Sequence, residues 1–354
     1  MLKKPKKILI IKLKFQGDVL LTTPVINTLK QHYPDSAIDM LVYNSTKQII
    51  SENDKVNNIY GMEDRKSTIL KKIQNSYSLI KEFRKNKYDI IINLSSQIGL
   101  GLFLRMIPAG LKIGFNYGRR NSRYWVNSYD KTLDDAGEHI VEQNLSILTL
   151  LGINDVVPMT SMPYDNRHWL TLSSKMKEQG ISERYVVIQP TARQEFKCWD
   201  EEKFSQVIDY LNAKGMDVIL TSGPGKEDAE VISKIAENCQ HPPVTCFAGK
   251  TSFPELAALI DHAQLFIGVD SAPGHIAAAV DTPVVSLFGA TKYKFWHPWS
   301  DKLELIWAGN YQTMPERKSL DRNARYMSCI PAEDVISAAE RVLEKYPAKK
   351  HSVD

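Results

Sequence analysis

Three segments of the chain place proton-moving or anion-holding side chains where an apolar run gives way to a turn and a helix. In Lys14-Phe15-Gln16-Gly17-Asp18-Val19-Leu20-Leu21-Thr22-Thr23-Pro24, Asp18 follows such a run and a single glycine. Ligands of open α/β sheets bind beyond the carboxyl ends of the strands, so a carboxylate here is a candidate base. Asp is also a good helix N-cap, and position alone leaves both readings open. In Thr191-Ala192-Arg193-Gln194-Glu195-Phe196-Lys197-Cys198-Trp199, hydroxyl and cationic donors suited to phosphate oxygens follow the run ending at Gln189. A solvated loop with incidental charges is the plainer alternative. In Phe266-Ile267-Gly268-Val269-Asp270-Ser271-Ala272-Pro273-Gly274-His275-Ile276-Ala277-Ala278-Ala279, a buried strand ends at Asp270 and small residues lead into a helix. Small side chains let a diphosphate approach the backbone N–H groups at the helix's positive end. His275 alone reads as a packing histidine; behind Asp-Ser and before an Ala-rich helix it belongs to a more specific pattern.

Lesser signals accompany these. Glu227 and Asp228 follow the Leu220-Thr221-Ser222-Gly223-Pro224-Gly225 junction, where they can accept hydrogen bonds from a ribose or only favour a helix N-terminus. Pro283–Phe288 is a further strand with a Gly289-Ala290-Thr291 turn at its carboxyl end. The loop Gly118-Arg119-Arg120-Asn121-Ser122-Arg123-Tyr124-Trp125 joins three arginines to two aromatics. Arginine meets phosphates bidentately and aromatic rings stack on sugar faces, with a solvated turn as the alternative. No GxGxxG fingerprint is present, which removes the main support for a nicotinamide cofactor. Cys198, Cys239, Cys246 and Cys329 form no CxxC pair and no metal-ligand rhythm with histidine, so they read as reduced thiols and no metal site is expected.

The elements that must carry these residues are legible as alternation. Branched aliphatic runs recur at Lys7–Lys12, Ile38–Val42, Tyr88–Leu94, Tyr185–Gln189, Asp217–Leu220, Leu265–Val269 and Pro283–Phe288. Near-continuous apolar runs suit parallel strands covered on both faces. Between them, helical periodicity marks Val25–Tyr33, Thr68–Lys85, Glu138–Leu150, Glu202–Lys214, Glu227–Glu237 and Phe253–His262. Each half therefore reads as a doubly wound α/β domain. We expect domains at 1–165 and 183–330, a linker near 163–182 carrying a helical segment His168–Gly180, and a terminal amphipathic helix within 331–354 that packs back on the first domain.

Composition agrees with a folded, two-domain chain: 354 residues, 43% hydrophobic and 24% charged. The net charge of +4 is too small to imply nucleic-acid binding, though it permits a local basic surface. No apolar run reaches the length of a membrane span, and the basic start Met1–Lys7 leads straight into a strand-like run without a signal-peptide pattern. A cytoplasmic protein, touching a membrane surface at most peripherally, is the expectation.

Together, Gly17-Asp18-Val19-Leu20 with Thr23-Pro24, His139-Ile140-Val141-Glu142, Lys197 two residues before Trp199, and Gly268-Val269-Asp270-Ser271 through Gly274-His275 bring a family into view. Nearly end to end, the chain resembles the bacterial lipopolysaccharide core heptosyltransferases, glycosyltransferase family nine. The resemblance implies GT-B architecture, with two Rossmann-like domains facing a cleft. It implies an ADP-L-glycero-β-D-manno-heptose donor held by the second domain and a lipid A-linked inner-core saccharide held by the first, at the cytoplasmic face of the inner membrane. Anomeric inversion follows from a β donor and an α product, with Asp18 as general base. Lys197 and the Ser271, Ala272, Gly274 and His275 turn would stabilise the departing ADP without an essential metal or other cofactor. Thr191 would add a hydroxyl, Glu227 would contact the ribose and Asp270 the donor sugar. Gly17, Arg119, Arg120, Arg123 and His139 would serve the acceptor, His139 by family position only. Within the family, the subtype adding the side-branch heptose III onto heptose II fits best. The alternatives are subtype I or II, a GT-B transferase or epimerase with another nucleotide sugar, a dehydrogenase, or a nucleotide-binding protein without catalysis.

Overall fold

Isoleucine, leucine and valine dominate the segments that become strands, and their β-branched stiffness suits a pleated surface covered from both sides. The computed structural model describes residues 4–118, 122–347 and 349. Its strands are β1 (Lys7–Ile11), β2 (Ala37–Tyr43), β3 (Asn58–Met62), β4 (Ile90–Asn93), β5 (Leu111–Asn116), β6 (Lys131–Asp134), β7 (Tyr185–Gln189), β8 (Asp217–Leu220), β9 (Leu265–Val269), β10 (Val284–Phe288) and β11 (Leu303–Trp307). The chain divides into two compact units, residues 1–162 and 163–354.

The first unit holds a six-stranded sheet in the order β3-β2-β1-β4-β5-β6, and every pairing is parallel. Strand order reverses between β1 and β4, and such a reversal leaves a crevice beyond the carboxyl ends of the two strands. Leu9, Ile11, Leu41 and Ile91 form one core with Phe83, Phe103, Leu104 and Trp125. The second unit holds a parallel five-stranded sheet, β11-β10-β9-β7-β8, whose order reverses between β7 and β9. Its core joins Val186, Ile188, Leu265 and Ile267 to Trp199, Phe204 and Val335. These are the two doubly wound parallel sheets of the GT-B-like α/β class.

The second unit departs from the domain organisation expected above in two places. The stretch read as a linker is an integral helix, Asn166–Glu178, with Leu172 and Met176 buried and Asp165 as its N-cap. It packs on the Phe253–Asp261 helix, and Tyr164 donates to Asp261 at 2.6 Å. The terminal helix, Ala332–Lys345, lays Val335, Ala338, Ala339 and Val342 into the second core, against β9, β10 and β11. Its stripe of small and branched residues matches the sheet of its own unit, so the expected packing on the first domain gives way to this one.

Candidate active site

Asp18 stands in a five-residue helix, Gln16–Leu20, immediately after β1. Phe15 is the N-cap, so Asp18 is the third residue of the helix, in its first turn, and the capping alternative does not apply to it. Gly17 is buried and Asp18 half-buried. Behind it, Lys12 ends the apolar run as a wholly buried cation whose Nζ donates to Asn144 Oδ1 at 3.1 Å. Asn144 Nδ2 in turn donates to the carbonyl of Leu21 at 3.0 Å, closing a link around the Asp18 helix. Burial lowers the Lys12 ammonium to about 8, opposed by the carboxylate of Asp18 and reinforced by Lys14. Across the strand reversal, Asn93 at the end of β4 donates its Nδ2 to the Ser95 carbonyl at 3.0 Å and to the Tyr129 hydroxyl at 2.6 Å. The first unit therefore gathers a carboxylate, a buried cation and a polar network at the edge where its sheet reverses.

The residues expected to serve the acceptor are less uniform. Arg123 is exposed at the start of a short helix capped by Ser122, while Arg119 and Arg120 lie outside the described residues. Trp125, one of the aromatics expected to stack on sugars, is wholly buried and donates its Nε1 to the Phe115 carbonyl at 2.9 Å. Tyr124 stays exposed beneath the Arg105 guanidinium, 4.7 Å from its ring. His139, expected beside the acceptor, is buried as the N-cap of the Ile140–Ser146 helix. Its Nδ1 accepts from Val141 N at 3.1 Å, and Glu142 accepts from the His139 N–H at 3.0 Å. That reciprocal pair satisfies helix-end donors and gives the ring a structural task.

In the second unit, the ends of β7 and β9 converge. Lys197, in a single 3₁₀ turn, lies with its Nζ 2.7 Å from Asp270 Oδ2, an ion pair by distance without the angles of a directed hydrogen bond. Thr191 is buried, its hydroxyl oxygen accepting from Gln189 Nε2 at 2.9 Å. Gln189 Oε1 accepts from Thr221 at 2.8 Å, so one amide fixes the ends of β7 and β8 together. Ser271 is the N-cap of the Ala272–Ala279 helix, with Pro273 in its first turn. Gly274 and His275 are buried there. At Gly268 a Cβ would stand 2.7 Å from the Phe266 ring, so any larger residue here would force that buried ring to move. Glu227 is exposed in the first turn of Lys226–Asn238, after the Gly225 N-cap.

The segment bearing Lys197 is clamped from behind. Trp199 is buried, donating to the Ile330 carbonyl at 3.2 Å, and Arg325 binds both Glu201 oxygens and Glu195. Burial alone would raise the Glu201 carboxyl, but the Arg325 hydrogen bonds hold it below its usual range.

The family model for glycosyltransferase family 9 (heptosyltransferase) matches residues 76–327, most of the chain, from β4 through β11. The chain belongs to glycosyltransferase family 9. It is 53% identical over 331 residues to Lipopolysaccharide heptosyltransferase 3 of Escherichia coli strain K12, covering 94% of this chain and 96% of that protein. Its fold is similar to a family 9 glycosyl transferase from Veillonella parvula (TM-score 0.83, 22% identity, 96% and 97% of the two chains). It is also similar to E. coli ADP-heptose lps heptosyltransferase II (TM-score 0.75, 20% identity, 96% and 99%).

Two features of this family 9 glycosyltransferase escaped the sequence reading. Lys12 was visible only as a cation closing an aliphatic run, a signal worth heeding because a lysine there must be buried. Thr291, after β10, was noticed as part of a turn but not as a site residue. Among the described residues, the hydroxyl oxygens of Ser271 and Thr291 are buried without a hydrogen-bond partner, a costly state that a bound polar group would relieve.

Proposed function

We propose that this enzyme transfers L-glycero-D-manno-heptose from ADP-L-glycero-β-D-manno-heptose to the lipid A-linked inner core of lipopolysaccharide, as heptose III onto heptose II. The observation that carries the subtype is the 53% identity, spread over 94% of the chain, with a protein named as lipopolysaccharide heptosyltransferase 3. Identity of that extent includes the acceptor-side unit as well as the donor-side one.

The chemistry follows from the side chains. Asp18 takes the proton of the attacking acceptor hydroxyl as its oxygen bonds to the anomeric carbon, and the bond to ADP breaks with its electron pair on the phosphate oxygen. One displacement inverts the anomeric configuration. Lys197 and the N–H groups at the start of the Ala272–Ala279 helix receive the developing phosphate charge, the task that GT-B enzymes give to side chains and helix ends rather than a metal. Thr191 adds a hydroxyl, Glu227 takes the ribose and Asp270 sets Lys197. Gly17 lets the acceptor approach Asp18, and Arg119, Arg120 and Arg123 meet its phosphates. Among the described residues no helix is long and apolar enough to cross a membrane. Because the acceptor is membrane-anchored, the reading includes peripheral contact with the cytoplasmic face of the inner membrane.

The test is transfer from ADP-heptose to truncated acceptors bearing zero, one or two core heptoses, with ADP release and product mass followed together. Transfer only to the two-heptose acceptor supports the reading. Transfer to an earlier acceptor changes the subtype, and none to any acceptor overturns the donor assignment.

A further inference from the structure

The Ile69–Asn86 helix buries only its second half. Leu79, Ile80 and Phe83 enter the core, whereas none of residues 69–78 is buried. Yet that outer half carries Ile69, Leu70, Ile73 and Tyr77, which are 75%, 73%, 60% and 69% exposed. At about 100° per residue these four fall within one arc of about 100°, the stripe a helix normally turns toward a core. The segment is not a frayed end. Asn75 ties it to β3, accepting from Glu63 N and donating to the Gly61 carbonyl, both at 3.0 Å.

A second exposed stripe lies on the neighbouring helix. Ile98, Leu102 and Met106, spaced four apart along Gly99–Arg105 and its flanks, are all exposed. The helices touch where Phe83 meets Phe103 edge-on at 6.1 Å and Arg84 donates to the Met106 carbonyl at 2.8 Å. Both begin at the carboxyl edge of the sheet, the edge that carries Asp18. Exposed Phe15, in the Asp18 turn, lies under the Arg65 guanidinium at 5.7 Å, and Lys72 donates to the Arg65 carbonyl at 2.7 Å.

Charge identifies the occupant. Residues 64–87 contain eight Lys or Arg and two acids, in a chain whose overall excess is only +4. Exposed aliphatic and tyrosine side chains flanked by lysines fit a layer that is anionic at its face and apolar beneath. A protein groove would need complementary acids and a curved rim. We propose that the outer half of the Ile69–Asn86 helix, together with the exposed Ile98 and Leu102 of the neighbouring helix, is a docking surface for the anionic phospholipid headgroups of a bilayer. It seats the Asp18 edge against the membrane. The inference rests on the proposed lipid-anchored acceptor for its purpose, though not for its geometry.

The full chain is floated with vesicles of phosphatidylglycerol and phosphatidylethanolamine, and separately of phosphatidylcholine, without saccharide or donor. The expected result is salt-sensitive partition onto the anionic vesicles only, weakened at least tenfold by Leu70→Glu with Ile73→Glu. Leu170→Glu, at an equally exposed apolar position in the second unit, leaves partition unchanged. Melting curves confirm that the exposed substitutions leave the fold intact. Absence of wild-type binding, or binding indifferent to residues 70 and 73, overturns the proposal. So does self-association that these substitutions abolish without vesicle binding, which assigns the face to a second copy. Because no transfer is read, a protein that binds through this helix yet transfers no heptose overturns the functional reading and leaves the surface standing.

Discussion

Lys197 Nζ lies 2.7 Å from Asp270 Oδ2, joining the turn after β7 to the end of β9. The aspartate is buried while the lysine is about a quarter exposed, so the carboxylate aims a cation whose other side stays open to a ligand. On the proposed mechanism, replacing Lys197 by Ala removes the cation that meets the leaving group and is expected to lower kcat by about 10²–10³, the usual cost of one transition-state donor. Asp270→Asn keeps the shape but loosens the lysine, so a smaller fall in kcat is expected. Steady-state kinetics of both variants at saturating acceptor check this; full turnover by Lys197→Ala would remove the lysine from the mechanism.

Asp18→Asn tests the base. Because Phe15, not Asp18, caps the helix, the substitution has no cap to lose and the melting temperature is expected to stay within a degree or two of wild type. Turnover is expected to drop by about 10²–10⁴, the range of general-base contributions. A variant that melts normally and keeps wild-type kcat would place the base elsewhere.

Lys12 makes a pH-dependent prediction. Its ammonium is lowered from 10.5 to about 8 in the folded chain, so between these values the unfolded chain binds more protons than the folded one. Stability contributed by this group therefore rises with pH through that window and is level below it. The span corresponds to about 3 kcal/mol at one pKa unit per 1.36 kcal/mol. Denaturant unfolding of wild type and Lys12→Met from pH 7 to 10.5 is expected to converge as pH rises, with Lys12→Met lacking the increment. Parallel curves would show that the lysine titrates near its ordinary value.

His139→Ala separates capping from acceptor contact. Loss of the capping pair with Glu142 is expected to cost about 1 kcal/mol of stability, read in chemical denaturation, with the acceptor KM unchanged in the cold. A raised acceptor KM in a protein of wild-type stability would return His139 to the acceptor.

The sequence made the fold legible where strands are covered on both faces: β7, β8 and β9 begin and end where the aliphatic runs do. It hid β3, β6 and β11, edge strands that are half-exposed and tolerate polar residues, as in Lys131-Thr132-Leu133-Asp134, and it also hid the central β5, where Lys112, Gly114 and Asn116 interrupt the apolar run. Asp18, Lys197 and Asp270 were legible because each sits where a run stops. Their pairing was not, since Lys197 and Asp270 are brought together only by the β7–β9 register. Trp125 misled because residue type suggests sugar contact, while its burial is set by neighbours distant in the chain; the capping role of His139 was likewise not readable from residue type.

Ser271 and Thr291 give the prediction with opposing signs. Their hydroxyl oxygens are buried with no hydrogen-bond partner among the described residues, Ser271 just beyond β9 and Thr291 just beyond β10. A buried polar atom left unpaired costs free energy, so deleting it while keeping the shape is neutral or stabilising. Thr291→Val is therefore expected to melt at or slightly above the wild-type temperature. If the donor satisfies that hydroxyl, the same change leaves the donor short of one hydrogen bond, worth about 0.5–1.5 kcal/mol, and raises its KM by about two- to thirteenfold. Ser271→Ala is expected to behave alike, the backbone N–H groups of its helix being untouched. Differential scanning fluorimetry with and without ADP gives the decisive comparison: the variants should melt at or slightly above wild type in its absence and should be stabilised less in its presence. Equal stabilisation by ADP would mean that these hydroxyls face something other than the nucleotide.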